Sequence, residues 1–241
     1  MRFFNWLDEW LITEGIQDLG IFKACFLSGN PGAGKSFVIS KIASGQVWPR
    51  VVNTDKALEW FMKKDPENTW QKYGDKTKSI TKELLAHYLN SLLPLWIDGT
   101  SSNPTAVMRR KGILESIGYD VSMVFVSTSL ETSLERNRQR QRQVDEDFLK
   151  ETYEQMNKLK PYYSSQFSPF VQVNNNVGEL TDEVVISAYK KMDSFFKSPL
   201  KNPIGISLRD ELLRSGGKYL IEHPDYEQSY INKLISSWYR R

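Results

Sequence analysis

The sequence predicts an α/β fold, a parallel sheet covered by helices on both faces. Three observations predict it. Short apolar runs alternate with longer helical patterns, and that alternation implies parallel strands joined by crossovers. The first apolar run ends in a glycine-rich turn that leads directly into a helix. The composition is that of an ordinary globular protein, 40% hydrophobic, 12% aromatic and 25% charged over 241 residues, which sets aside collagen-like, disordered and disulfide-scaffold chains.

Each element has its own local reason. Residues 1–19 read as an amphipathic helix with Trp6 and Trp10 four apart on one face. Ile21 to Ser28 is the first strand, and the helix after the turn carries Phe37, Val38, Ile39 and Ile42. Arg50 to Asn53 is a short second strand and Ala57 to Lys64 a helix. Residues 65–77 show no clear period and are expected to be irregular. A helix from Ser79 to Leu92 leads into the strand Leu93 to Asp98. Asn103 as N-cap and Pro104 as first helical residue start a helix that ends near Gly118, and Tyr119 to Val126 is the next strand. Phe170 to Val173, then a helix from Thr181 to Phe196 with Thr181 as N-cap, complete the sheet domain. After Pro199 the pattern changes: Lys201 to Gly205 reads as a linker, followed by two short helical stretches split by Gly216 and Gly217. The expected organisation is an N-terminal helix over 1–19, a main domain over 20–199 and a small helical C-terminal appendage over 200–241.

Net charge is only +3, from 32 basic and 29 acidic residues, so a basic partner site must be local and not chain-wide. The single cysteine, Cys25, cannot form an internal disulfide, which fits a reducing compartment. The run from Phe3 to Ile12 is too short and too acidic for a signal peptide, and no segment approaches the ~18 apolar residues of a membrane helix. The expectation is a soluble cytoplasmic protein without membrane contacts. With only His87 and His223, a histidine-rich zinc site is not expected.

Gly29-Asn30-Pro31-Gly32-Ala33-Gly34-Lys35-Ser36 matches the phosphate-binding P-loop pattern, preceded by a strand and followed by a helix as that pattern requires. Its glycines let backbone amides approach phosphate oxygens without a Cβ in the way, and the helix N-terminus favours an anion. Lys35 would span the β- and γ-phosphates of ATP or GTP, and Ser36 would ligate Mg²⁺. The fold class sharpens to a P-loop NTPase three-layer sandwich. The motif leaves the acceptor open, since switches, motors and kinases share it.

Two carboxylates end strands on the same side of the sheet. Asp55 follows Asn53-Thr54, where it would accept a proton from an attacking hydroxyl; its alternative is an N-cap for the following helix. Asp98 occupies the place of a Walker-B-like acid touching Mg²⁺; its alternative is a hydrogen bond to nearby turn amides. Arg136-Asn137-Arg138-Gln139-Arg140-Gln141-Arg142 packs four arginines into seven residues. On a helix, Arg136 and Arg140 share one face and Arg138 and Arg142 another, so an arginine-rich lid serving two anions competes with a solvated basic face. Trp70 and Tyr73 among Lys72, Lys76 and Lys78 form either a base-stacking acceptor surface or a peripheral apolar patch.

On these residues, positions 20–196 resemble the P-loop kinases of the zeta-toxin and polynucleotide 5′-kinase type, an AAA-type ATP-binding kinase domain. Val52-Asn53-Thr54-Asp55 resembles the segment carrying their acceptor-activating aspartate. Ile97-Asp98-Gly99-Thr100 resembles the Ile-Glu-Gly-Thr of zeta toxins and, through Asn103-Pro104, a stretch of phage polynucleotide kinases that has an aspartate where this chain has Gly99. Glu135 through Val144 is similar to the polynucleotide-kinase lid, with Arg136 and Arg140 at the spacing of its arginine pair. The resemblance implies ATP- and Mg²⁺-dependent transfer of a γ-phosphoryl group to a hydroxyl of a nucleic-acid end, a nucleoside or nucleotide, or a nucleotide-sugar. Asp55 is the implied base, Lys35, Arg136 and Arg140 the charge stabilisers, Arg138 and Arg142 further nucleotide contacts. Two other classes stay open: a nucleotide-dependent interaction module that docks a protein partner through residues 1–19 or 200–241 without catalysis, and a motor or switch ATPase.

Overall fold

The computed structural model describes residues 20–42, 50–53, 58, 61, 70–140, 143–176, 180–214 and 224–239. The expected helix over 1–19 and most of the helix over 57–64 lie outside them. Five strands, β1 (Lys23–Ser28), β2 (Arg50–Val52), β3 (Leu95–Asp98), β4 (Asp120–Ser127) and β5 (Phe170–Asn174), form one sheet in the order β2-β3-β1-β4-β5, every pair parallel. Helices separate them: α1 (Lys35–Ile42), α2 (Trp70–Asn90), α3 (Pro104–Ser116), α4 (Leu130–Arg138), α5 (Glu146–Gln166), α6 (Asp182–Lys197), α7 (Pro203–Arg214) and α8 (Pro224–Trp238). The α/β expectation holds, with helices on both faces.

All six residues of β1 are buried, as a central strand covered on both sides requires. Its side chains alternate between two cores. Ala24 and Phe26 join the apolar residues of α2, α3, α5 and α8, while Cys25 and Leu27 join those of α1 and α6. The strand order changes direction at β1, and β1 leads into the glycine loop, so the loop lies at the carboxyl-end crevice where open α/β sheets bind ligands. The caps expected at Asn103 and Thr181 are present, Asn103 accepting the Ala106 N–H and Thr181 that of Val184.

Residues 70–77 are helical, which corrects the expectation of an irregular excursion. α2 starts at Trp70 because its buried stripe, Gly74, Thr77, Thr81, Leu85, Tyr88 and Leu89, runs at helical spacing from the first turns. The early stripe positions are glycine and threonine, so no apolar period shows in the sequence. Thr77 and Thr81 satisfy their buried hydroxyls on the carbonyls of Gly74 (2.9 Å) and Thr77 (2.8 Å).

The stretch expected as a linker, Lys201 to Gly205, is also partly helical. Asn202 Oδ1 accepts the N–H of Ile204 at the start of α7, and Gly205 lies against Gly118 so closely that a Cβ on either would strike the other's backbone. Asp120 accepts from the Lys23 ammonium (2.7 Å) and from the backbone N–H of Lys201 (3.0 Å) and Asn202 (2.9 Å). Ile231, Ile235 and Trp238 of α8 are buried in the core that contains α2 and α3, with the Arg110 guanidinium over the Trp238 ring.

Candidate nucleotide site

The loop between β1 and α1 takes its shape from its glycines. Gly32 (φ +82°) and Gly34 (φ +79°) are in the left-handed region. A Cβ on Gly32 would lie 2.5 Å from the Ser133 carbonyl oxygen, and one on Gly34 would overlap the Asn175 side-chain amide. Without a Cβ, these glycines let α4 and the segment after β5 pack directly onto the loop. Asn30 adds a side-chain bond across the same gap, its Nδ2 donating to Ser133 Oγ at 2.6 Å. The loop is closed internally by the Ala33 N–H on the Asn30 carbonyl (3.1 Å), and Pro31 is buried within it.

Lys35 opens α1, and its ammonium donates to the carbonyls of Gly29 (2.8 Å) and Asn30 (3.3 Å), which holds the charge over the loop. Ser36 is exposed in the first turn of the same helix. Register places Asp98, the last residue of β3, beside Leu27, two positions before Gly29. Its Oδ2 accepts from Asn53 Nδ2 at 2.6 Å, across the ends of β2 and β3. A helix-start hydroxyl and a strand-end carboxylate are hard oxygen donors of the kind Mg²⁺ takes beside phosphates and water. Among the described residues no cluster of three or more His, Cys, Asp or Glu side chains suited to a metal occurs. Asp55 lies outside the described residues, two positions past Asn53.

The described arginines of the cluster, Arg136, Arg138 and Arg140, do not lie on one helix. α4 ends at Arg138 with Gln139 as C-cap, so Arg140 sits beyond the helix and does not share a helical face with Arg136. The cause is local: Asn137 pairs with Val144 through both its donor (2.7 Å) and its acceptor (2.9 Å), bonds that compete with continuation of the helix past Arg138. Arg136 reaches the glycine loop, donating to the carbonyls of Asn175 (2.9 Å) and Ala33 (3.5 Å). Arg138 instead pairs with Glu146 at 2.8 Å in the open, where water and salt screen the ion pair. Arg140 is exposed and Arg142 lies outside the described residues.

Sequence reasoning missed the asparagines after β5. Asn175 Nδ2 donates to the Ala33 carbonyl at 2.7 Å, and Asn176 Oδ1 accepts from the Thr128 hydroxyl at 2.8 Å and from the Ser129 N–H at the start of α4. Three consecutive asparagines closing a strand were the available signal. The base-stacking surface also changes. Tyr73 stacks on Phe61 with ring centroids 4.7 Å apart, Lys72 and Lys76 lie over these two rings, and Lys78 pairs with Asp75. The side chain of Trp70 lies outside the described residues. That packing favours the peripheral apolar patch.

A family model described as AAA domain matches residues 25–160, more than half of the chain, from β1 through the lid and most of α5. The chain belongs to the AAA domain family. No curated protein matches it. Among solved structures it is similar to the PezAT chromosomal toxin–antitoxin system of Streptococcus pneumoniae, with 18% identity, a TM-score of 0.49, and coverage of 90% of this chain and 94% of that one. A tunicamycin resistance protein from Deinococcus radiodurans gives 18% identity and a TM-score of 0.44 over 70% and 95% of the two chains. Shikimate kinase from Acinetobacter baumannii, in complex with shikimate, gives 18% and 0.42 over 74% and 95%. No helix among the described residues is long and apolar enough to cross a membrane.

Proposed function

We propose that the protein is an ATP-dependent kinase that transfers the γ-phosphoryl group to a hydroxyl. The observation that carries this reading is the convergence of two cationic side chains, Lys35 from α1 and Arg136 from α4, on one glycine loop at the carboxyl end of β1. A guanidinium has five N–H donors, and the two bonds Arg136 makes to the Asn175 and Ala33 carbonyls leave others for phosphate oxygens. Lys35 holds its charge over the loop through two neutral carbonyls, which an incoming phosphate would outcompete.

In the proposed reaction the acceptor oxygen attacks the γ-phosphorus while the bond to the β,γ-bridging oxygen breaks. The electron pair leaves with ADP and the acceptor proton passes to the Asp55 carboxylate. Lys35, Arg136 and Arg140 stabilise charge on the transferring group, while Arg138 and Arg142 add nucleotide contacts once Arg138 leaves Glu146. Mg²⁺, when bound, neutralises charge across the β- and γ-phosphates, and Ser36 and Asp98 are the residues that would hold it. The acceptor class is a hydroxyl of a nucleic-acid end, a nucleoside or nucleotide, or a nucleotide-sugar.

Radiolabelled ATP offered with 5′-hydroxyl DNA, 5′-hydroxyl RNA, nucleosides and UDP-sugars tests the reading. One acceptor should become labelled, and Asp55→Ala should abolish labelling while ATP binding persists. Labelling that survives Asp55→Ala undiminished would remove Asp55 from the role of base. ATP binding without transfer to any acceptor would leave a nucleotide-dependent interaction module as the function, and acceptor-independent hydrolysis driven by a partner would leave a motor or switch.

A further inference from the structure

We infer that Asn175 is a positioning residue: it sets the orientation of the Ala33–Gly34 peptide in the glycine loop and couples that loop to the root of the arginine lid. The inference rests on the reading of Gly29–Ser36 as the nucleotide site.

Asn175 is 4% exposed and follows β5 directly. Its backbone N–H, its carbonyl and its side-chain amide nitrogen are each engaged with a different element. Its backbone N–H donates to the Ser127 carbonyl at 2.8 Å, which fixes it to the end of β4. Its carbonyl accepts from Arg136 at 2.9 Å and from the Thr128 hydroxyl at 3.4 Å. Its side-chain amide donates to the Ala33 carbonyl at 2.7 Å. Asn176, the next residue, secures the start of α4 through Thr128 and Ser129. A single buried turn thus ties together the loop, both ends of the lid helix and two strand ends.

The consequence for a bound anion follows from peptide planarity. In a trans peptide the C=O and the following N–H point in opposite directions. With the Ala33 carbonyl held towards Asn175, the Gly34 N–H must point away from Asn175, as one of the amides the loop has to offer to phosphate. Gly34 is at φ +79° and has no Cβ, so nothing intrinsic to the residue prevents this peptide from rotating. Arg136 reaches the same carbonyl only at 3.5 Å and is a weak substitute. The Asn175 amide is therefore the group that pre-orients the peptide, and a loop that spends less time in the competent orientation binds its ligand more weakly in proportion.

The test uses the full chain, Mg²⁺ with ATP as the probe, and two substitutions, with affinity read by calorimetry. Asn175→Ala removes one hydrogen bond to a buried carbonyl and should weaken binding on the order of tenfold. Asn175→Asp is close in shape but turns an acceptor and a negative charge towards the Ala33 carbonyl, and should weaken it on the order of a hundredfold. A packing role alone predicts the reverse order, the near-isosteric aspartate being the milder change, and that order overturns the inference. If neither variant folds, hydrogen exchange of the unaltered chain decides: Mg²⁺-ATP should slow exchange in 29–35, 129–138 and 174–176 together. Protection confined to 29–35 would overturn the coupling. An unaltered chain that binds neither ATP nor GTP fails the nucleotide reading and this inference with it, whereas normal binding by both folded variants fails this inference alone.

Discussion

Replacing Gly205 by alanine sets two effects of opposite sign against each other. Gly205 lies within α7, and alanine is the better helix former by up to about 1 kcal/mol, so propensity alone predicts a more stable protein. The added Cβ, however, would lie 3.1 Å from the Gly118 carbonyl carbon and 3.3 Å from its Cα, with the carbonyl oxygen closer still. These are backbone atoms at a residue held at φ +99°, and no side chain can swing away to make room. α7 would have to retreat by about 1 Å, and it carries the buried Leu212 with it. Overpacking of this kind costs about 1–3 kcal/mol, which exceeds the helix gain. The net expectation is a loss of about 1–2 kcal/mol, or a Tm lower by about 2–8 °C in a chain of this size. Gly112→Ala is the matched control, since nothing lies within 4 Å of a Cβ built there in the interior of α3, and it should raise stability by up to about 1 kcal/mol. Calorimetric melting of both variants reads the difference. A Gly205→Ala variant at least as stable as its parent would refute the argument that Gly118 and Gly205 are in steric contact.

Three further outcomes follow from the same geometry. Gly32→Ala should abolish ATP binding while leaving most of the stability, because its Cβ would push the loop from Ser133; calorimetric binding at parental affinity would contradict this. The buried Cys25 thiol is pushed from 9.0 to about 12 by loss of hydration, so above pH 9 the unfolded chain loses a proton that the folded chain keeps. Stability should then fall with rising pH by about 4 kcal/mol in total over that window, and urea titrations of Cys25→Ala should lack this component; an unchanged pH slope in that variant would exclude it. Lys23→Met should destabilise by about 3 kcal/mol because it takes away the only cation paired with Asp120 among the described residues and leaves that carboxylate two backbone N–H donors, and Lys23→Met with Asp120→Asn should recover part of the loss; equal melting points for the single and double variants would show that the charge was not the cause.

The parts of the molecule legible in the sequence are those that neighbouring residues decide. β1 and the glycine loop could be read together because a buried strand, two left-handed glycines and a helix start are contiguous in the chain. The caps at Asn103 and Thr181 were equally readable, since a capping side chain acts within three residues. The start of α2 escaped because glycine and threonine can line a buried helical face without an apolar period. The lid arginines were read on an unbroken helix, but the Asn137 pairing with Val144 ends that helix in competition with its own propensity.

The sequence by itself determined the α/β class, the glycine loop with Lys35 and Ser36, and a local excess of arginine over a nearly neutral chain. Local propensity, hydrophobic period and turn chemistry are enough for those. Only the tertiary structure decided that Arg136, among the described arginines of the cluster, is bonded to the loop, and that residues after Pro199 contribute to the core beside α2 and α3. It also decided that Asn175, 142 positions from Ala33, holds the loop's central carbonyl. Those outcomes depend on which distant groups the folded sheet brings within hydrogen-bonding distance, and no period or motif along the chain encodes such a meeting.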